Sequence, residues 1–213
     1  MQLEYFGHSM WKIAANGFSV VLDPFDDIGY PMPPNLIADY VIISHEHHDH
    51  NNVSLVKGNP EVIRTSGLHQ TKDFRVEMIP VFHDYNAGAK RGRNHLIKLE
   101  IENLTLVHCG DLGHIPSQEV LAKIDRPDLL MIPVGEIYTL DLSDAWSLIR
   151  TVKPKIILPM HYKTDKLKFG LGSLDAFTKP AQQVVHHDSN KLEITPGLLA
   201  KEQIIIVNWA AKE

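Results

Sequence analysis

Tyr40-Val41-Ile42-Ile43-Ser44-His45-Glu46-His47-His48-Asp49-His50 starts as an apolar strand and ends in a run of metal-binding side chains. In extended backbone the side chains at i and i+2 point the same way, so His45 and His47 can grip one ion from one side. A helical turn after them would project Asp49 and His50 together toward a neighbouring position. Imidazole and carboxylate suit Zn2+, Fe or Mn2+. Four such groups within six residues are costly to bury unless an ion offsets their desolvation. Glu46 and His48 alternate with these residues and are expected to face away, as packing or hydrogen-bonding groups.

Outward from this segment, the first half reads as short strands separated by turn signals: Gln2 to Phe6, Met10 to Ala14, Phe18 to Leu22, Tyr40 to Ile43, Glu61 to Thr65 and Phe74 to Phe82. A further pair lies within Asn94 to Val107, joined through Glu102-Asn103. Helices then alternate with strands: helix Ser117 to Ile124, strand Leu129 to Pro133, helix Ser143 to Thr151, strand Lys155 to Leu158 and helix Leu174 to Thr178. Strands first and a βαβ-like portion later imply an α+β fold with two packed sheets and helices outside, a four-layer αββα sandwich. Periodicity by itself does not select it. With no internal repeat, low-complexity tract or linker, residues 1–213 are expected to form one domain. The Pro-rich stretch Tyr30 to Asn35 is a loop and a candidate wall of the site.

Of 213 residues, 44% are hydrophobic and 22% charged, enough for a core without disulfides. The net charge of -5 and pI near 6.2 provide no broad basic surface, which argues against binding long nucleic acid. Cys109 is the single cysteine and has no intramolecular disulfide partner. The opening Met1-Gln2-Leu3-Glu4-Tyr5 lacks a basic and apolar leader, so a cytoplasmic location is expected. No apolar run approaches the roughly 18 to 20 residues that cross a bilayer, so no membrane partner is expected. The unusual feature is 13 histidines, more than the 7 Phe or 6 Tyr, many of them following apolar runs.

The HxHxDH spacing of His45, His47, Asp49 and His50 resembles the motif of the metallo-β-lactamase superfamily. Other segments are similar to a little-characterised bacterial and archaeal branch of metal-dependent hydrolases within it. These are Gly7-His8-Ser9, Asp23-Pro24, Gly29-Tyr30-Pro31-Met32-Pro33, His83-Asp84, Arg91-Gly92-Arg93-Asn94, His108-Cys109-Gly110-Asp111-Leu112-Gly113-His114, Ile132-Pro133-Val134-Gly135 and Pro159-Met160-His161-Tyr162. The resemblance implies two divalent metal ions, zinc first among the candidates and Mn or Fe after it. His45, His47 and His83 would hold one ion, and Asp49, His50 and His161 the other. Asp111 would bridge both, and each ion would keep a position for solvent. His108 competes with His83, which motif order favours. Where the family pattern has a second glycine after Gly135, this chain has Glu136.

Two ions about 3.5 to 4 Å apart lower the pKa of a bridging water toward neutrality, so hydroxide is the implied nucleophile, with Asp49 orienting it. Candidates to protonate the leaving group are His8, His114 and Tyr162. Lys90, Arg91 and Arg93 follow the His83 loop and can hold a phosphate or carboxylate, with Tyr162 a further substrate contact. The expectation is a hydrolase of a small, anionic ester, lactone or phosphodiester. The competing readings are a nuclease, redox chemistry at iron and a non-catalytic metal-binding module. Of the iron-redox relatives, flavodiiron-like and sulfur-oxidising, the former carry Glu where His47 stands and join a flavin domain. The resemblance admits a homo-oligomer.

Overall fold

The computed structural model describes residues 1–209. In chain order the strands are β1 (Gln2–Gly7), β2 (Met10–Ala15), β3 (Phe18–Leu22), β4 (Tyr40–Ile42), β5 (Glu61–Ile63), β6 (Gly67–Gln70), β7 (Arg75–Phe82), β8 (Arg93–Ile101) and β9 (Leu104–His108). They continue with β10 (Leu129–Pro133), β11 (Ile156–Met160), β12 (Val184–His187), β13 (Lys191–Glu193) and β14 (Gln203–Val207). The helices are α1 (Gln118–Lys123), α2 (Leu142–Val152) and α3 (Leu174–Thr178). One mixed sheet runs β13-β1-β2-β3-β4-β5 and the other β12-β14-β11-β10-β9-β8-β7-β6. The α+β sandwich expected from the order of elements is what forms. No helix among the described residues is long and apolar enough to cross a membrane.

Alternation along β3 and β4 divides the apolar side chains between two cores. Val20, Leu22, Tyr40 and Ile42 enter the main core between the sheets; Val21, Val41 and Ile43 enter a smaller cluster with Phe25, Ile28, Tyr30 and Leu36. The layer over the first sheet is therefore mostly irregular chain, its regular part a single 3-10 turn at Val53–Leu55. The Pro-rich loop belongs to this layer and does not line the histidine cluster. Tyr30 packs where a Cβ on Gly7 would stand, 2.5 Å from its ring, and so supports the turn that carries His8 from behind.

The second sheet is covered by helices. β10 and β11 are buried at every position, as strands with both faces covered must be. α2 presents Ala145, Leu148, Ile149 and Val152 to the core. Its N-cap is Asp141, whose side chain accepts from Asp144 N–H at 2.8 Å; the expected start at Ser143 lies two residues late. β8 and β9 join through Glu102 and Asn103, both at positive φ (52° and 64°), the conformation of a tight two-residue hairpin. Strands β6, β12, β13 and β14 lie outside the elements read from the sequence. β14 carries a legible signal, the apolar run Ile204-Ile205-Ile206-Val207.

Candidate metal centre

Six strand ends deliver the cluster: His8 follows β1, Asp23 follows β3, His45 to His50 follow β4, His83 follows β7, Asp111 lies shortly after β9 and His161 follows β11. All are carboxyl ends, brought together where the two sheets meet. Three of these residues sit at left-handed backbone angles unusual for side-chain-bearing residues: His8 (φ 52°), Asp23 (φ 44°) and His161 (φ 52°). Each such position costs on the order of 1–3 kcal/mol and persists only where surrounding structure enforces it. Here the strained turns hold one another, because His161 N–H donates to the His8 carbonyl at 2.8 Å. The predicted helical turn at Asp49 and His50 is instead a hydrogen-bonded turn, closed by His50 N–H on the His47 carbonyl at 2.9 Å.

The ligand atoms fall into two neighbouring sets. His45, His47 and His83 form one; His8, Asp49, His50 and His161 form the other, with donor atoms in each within 4.8 Å of one another. Asp111 lies against both. Its Oδ2 is 3.1 Å from His83 Nε2 and 3.2 Å from His161 Nε2, and its Oδ1 is 3.2 Å from His50 Nε2. Burial by itself would raise the Asp111 carboxyl, but His161 and His50 hold it well below the usual carboxylate range.

Asp23, which the sequence reading gave no role in the site, organises the cluster from beneath. Its Oδ2 accepts from His50 Nδ1 at 2.8 Å and Ser44 Oγ at 2.6 Å, and its Oδ1 accepts from Ser44 N–H at 2.7 Å. Burial pushes its carboxyl up, yet the bond from His50 outweighs that and holds it down. Because His50 Nδ1 donates to Asp23, Nε2 is the atom left to face Asp111. Asp84 does similar work for the loop after His83: its carboxylate accepts four backbone N–H groups, from Asn86, Gly88, Lys90 and Arg91, at 2.7–3.1 Å. Burial opposes its ionisation, and those amides, Arg91 first, still keep it below its ordinary value. Gly135 lets the β10 loop approach β11 closely, since a Cβ there would lie 2.2 Å from the His161 carbonyl.

The helper residues read from the sequence divide differently. His8 is buried behind Asp49, with Nε2 3.1 Å from Asp49 Oδ2, and burial followed by the neighbouring His161 pushes its pKa down to about 4. It is a neutral donor that anchors Asp49. His114 is no proton donor to a substrate: its Nε2 accepts from Phe82 N–H and its Nδ1 donates to the Ile115 carbonyl. Tyr162 is buried in the main core beside Tyr5, away from any substrate. His108 spends Nε2 on the Ser9 carbonyl and Nδ1 on Gly110 N–H, leaving neither for a metal. Glu46 faces away, paired with Arg64 and Asn51. His48 stands exposed at the mouth of the pocket.

A cavity of about 360 Å³ opens over Asp111, His83 and His161, walled by Tyr138, Phe169 and Arg91. Of the expected substrate contacts, Arg91 is here; Lys90 does not line it, and Arg93 lines an adjoining cavity. A larger surface cavity of about 870 Å³ beside Trp146 holds no metal-binding cluster among the described residues. The donor set fits divalent cations. His50 Nε2 and Asp111 Oδ1, which face the centre of the cluster, are buried without a well-aligned hydrogen-bond partner, and buried imidazoles converging on a carboxylate need positive charge among them.

Residues 2–161 match the family model described as the beta-lactamase superfamily domain. A metal-dependent hydrolase of Carboxydothermus hydrogenoformans is 28% identical, the match covering 77% of this chain and 85% of that protein. A solved structure from Thermotoga maritima, described as a Zn-dependent hydrolase of the metallo-beta-lactamase superfamily, superposes with a TM-score of 0.82. It is 32% identical, over 96% of this chain and 97% of the other. A metallo hydrolase from Ignicoccus hospitalis shares the fold, with a TM-score of 0.68 at 17% identity over 100% of this chain and 96% of the other.

Proposed function

The chain belongs to the beta-lactamase superfamily and is a metal-dependent hydrolase of it, and from that premise we propose that it uses two divalent cations to hydrolyse a small, anionic ester, lactone or phosphodiester. The observation that carries this reading is Asp111, whose two oxygens meet histidines of both donor sets. His45, His47 and His83 hold one cation, and Asp49, His50 and His161 the other. Zinc is the ion of choice for a His-rich set with carboxylates, and the Thermotoga relative is described as Zn-dependent. Such ions supply a water acidic enough to attack near neutral pH and a Lewis acid for the carbonyl or phosphoryl oxygen.

The chain's own groups do the rest. Asp49, held in place by His8 on its Oδ2, orients the attacking water. Tyr138 and Phe169 wall one side of the cavity against solvent, and Arg91 offers a guanidinium to the anionic substrate. A cavity of this size takes a small molecule, and the net charge of -5 disfavours nucleic acid. The test is metal content per chain on protein purified without chelator, joined to hydrolysis of lactone, thioester and phosphodiester probes before and after metal removal. About two ions and metal-restored turnover support the reading; well under one ion per chain rejects it.

A further inference from the structure

The cavity over Asp111 shares two of its walls, His47 and Arg91, with a second cavity of about 280 Å³. Three arginines, Arg64, Arg91 and Arg93, line this second space. Arg64 is paired with Glu46 at 3.2 Å. Arg91 and Arg93 have no carboxylate partner among the described residues, whose arginine ion pairs are those of Arg64, Arg75 and Arg126. Three guanidinium charges against one carboxylate leave two positive charges facing a cavity, in a chain whose net charge is -5.

Of these groups, Arg91 is also held in place before any ligand arrives. Asp84 clamps the loop that carries Arg91 through four backbone N–H groups. The Arg91 guanidinium lies 5.4 Å from the centre of the Tyr138 ring and reaches the Ile137 carbonyl at 3.5 Å. Arg93 sits in the β7–β8 ladder opposite Phe82. His95 adds no free donor, because its nitrogens are engaged by the Ser44 carbonyl and Ser66 Oγ. A guanidinium fixed in advance loses little freedom on binding, and the forked N–H groups of arginine match the oxygens of an oxyanion.

We propose that this cavity is an anion subsite of the active site, and that the substrate carries, apart from the bond it loses, a second group with about two negative charges on oxygen seated between Arg64, Arg91 and Arg93. A monocarboxylate would leave one positive charge unmatched; a dianion balances the pair. The substrate is then a small organic acid whose cleavable bond lies over Asp111 and whose doubly charged end passes His47. The inference rests on the hydrolase reading above, but its test needs no turnover.

Inorganic phosphate is titrated calorimetrically into the protein as purified, near pH 7.5, with acetate as the monoanion, for the parent chain, Arg93→Ala and Arg64→Ala. Metal content and melting temperature are measured on each to establish that the variants fold and load alike. The subsite predicts phosphate binding that weakens about tenfold or more in both variants, and acetate binding far weaker than phosphate throughout. Absent phosphate binding in the parent overturns it. So does an affinity unchanged in Arg93→Ala, which places phosphate on the metals alone. A chain that lacks metal or hydrolytic activity fails the earlier experiment, a separate result from this one.

Discussion

Asp23 shows how one buried carboxylate can set the chemistry of residues it does not resemble. It fixes the tautomer of His50 and ties the Ser44 backbone to the end of β3. Asp23→Asn keeps the shape and removes the charge. Metal affinity, measured by competition with a chromogenic chelator, should fall about 10- to 100-fold while far-UV circular dichroism is unchanged. An unaltered affinity would mean that His50 needs no such partner. In the sequence Asp23-Pro24 is one of the segments that carry the family resemblance, but as an aspartate before a proline at a strand end it gives no sign of a role in the site. Its role arises because His50, 27 residues later, returns to meet it.

At the scale of elements, the clearest local conflict lies at the end of α2, where Lys153 takes a left-handed conformation (φ 50°) and caps the helix through its N–H on Ile149. Glycine suits that position without a Cβ penalty, so Lys153→Gly should raise the unfolding free energy by about 0.5–1 kcal/mol in denaturant titration. A destabilised variant would show that the Lys153 side chain contributes more than its backbone strain removes. Helix positions were legible because capping residues and apolar spacing are local signals. β12 and β13 were not, since four- and three-residue strands are specified by the partners they find. Val184–His187 is a strand because β14 lies beside it, and Lys191–Glu193 because β1 does.

The whole molecule should respond to two perturbations. Metal that binds only the folded chain stabilises it by mass action, about 2.7 kcal/mol at a hundredfold excess over the dissociation constant, so chelation should lower the melting temperature by roughly 5–10 °C for a chain of this size. A melting curve indifferent to chelator would contradict a folded-state metal centre. Separately, burial pushes the hydroxyls of Tyr5, Tyr162 and Tyr30 above their ordinary value of 10.0. A raised folded pKa gives stability that is fully present below pH 10 and is lost as pH rises toward the folded value, because the unfolded chain ionises first. Tyrosinate absorbance should therefore appear together with unfolding for these three; early titration of all six tyrosines in the folded chain would refute it. Taken by itself, the sequence determined the donor types, their order along the chain and their places after apolar runs, because ligand chemistry and strand alternation depend on neighbours a few residues apart. Only the tertiary structure decided which nitrogens face Asp111, that His8 serves Asp49, that His114 and Tyr162 turn away, and that Arg64 joins Arg91 and Arg93. These depend on how strand ends from His8 to His161 meet, and that is set by the packing of two sheets against each other.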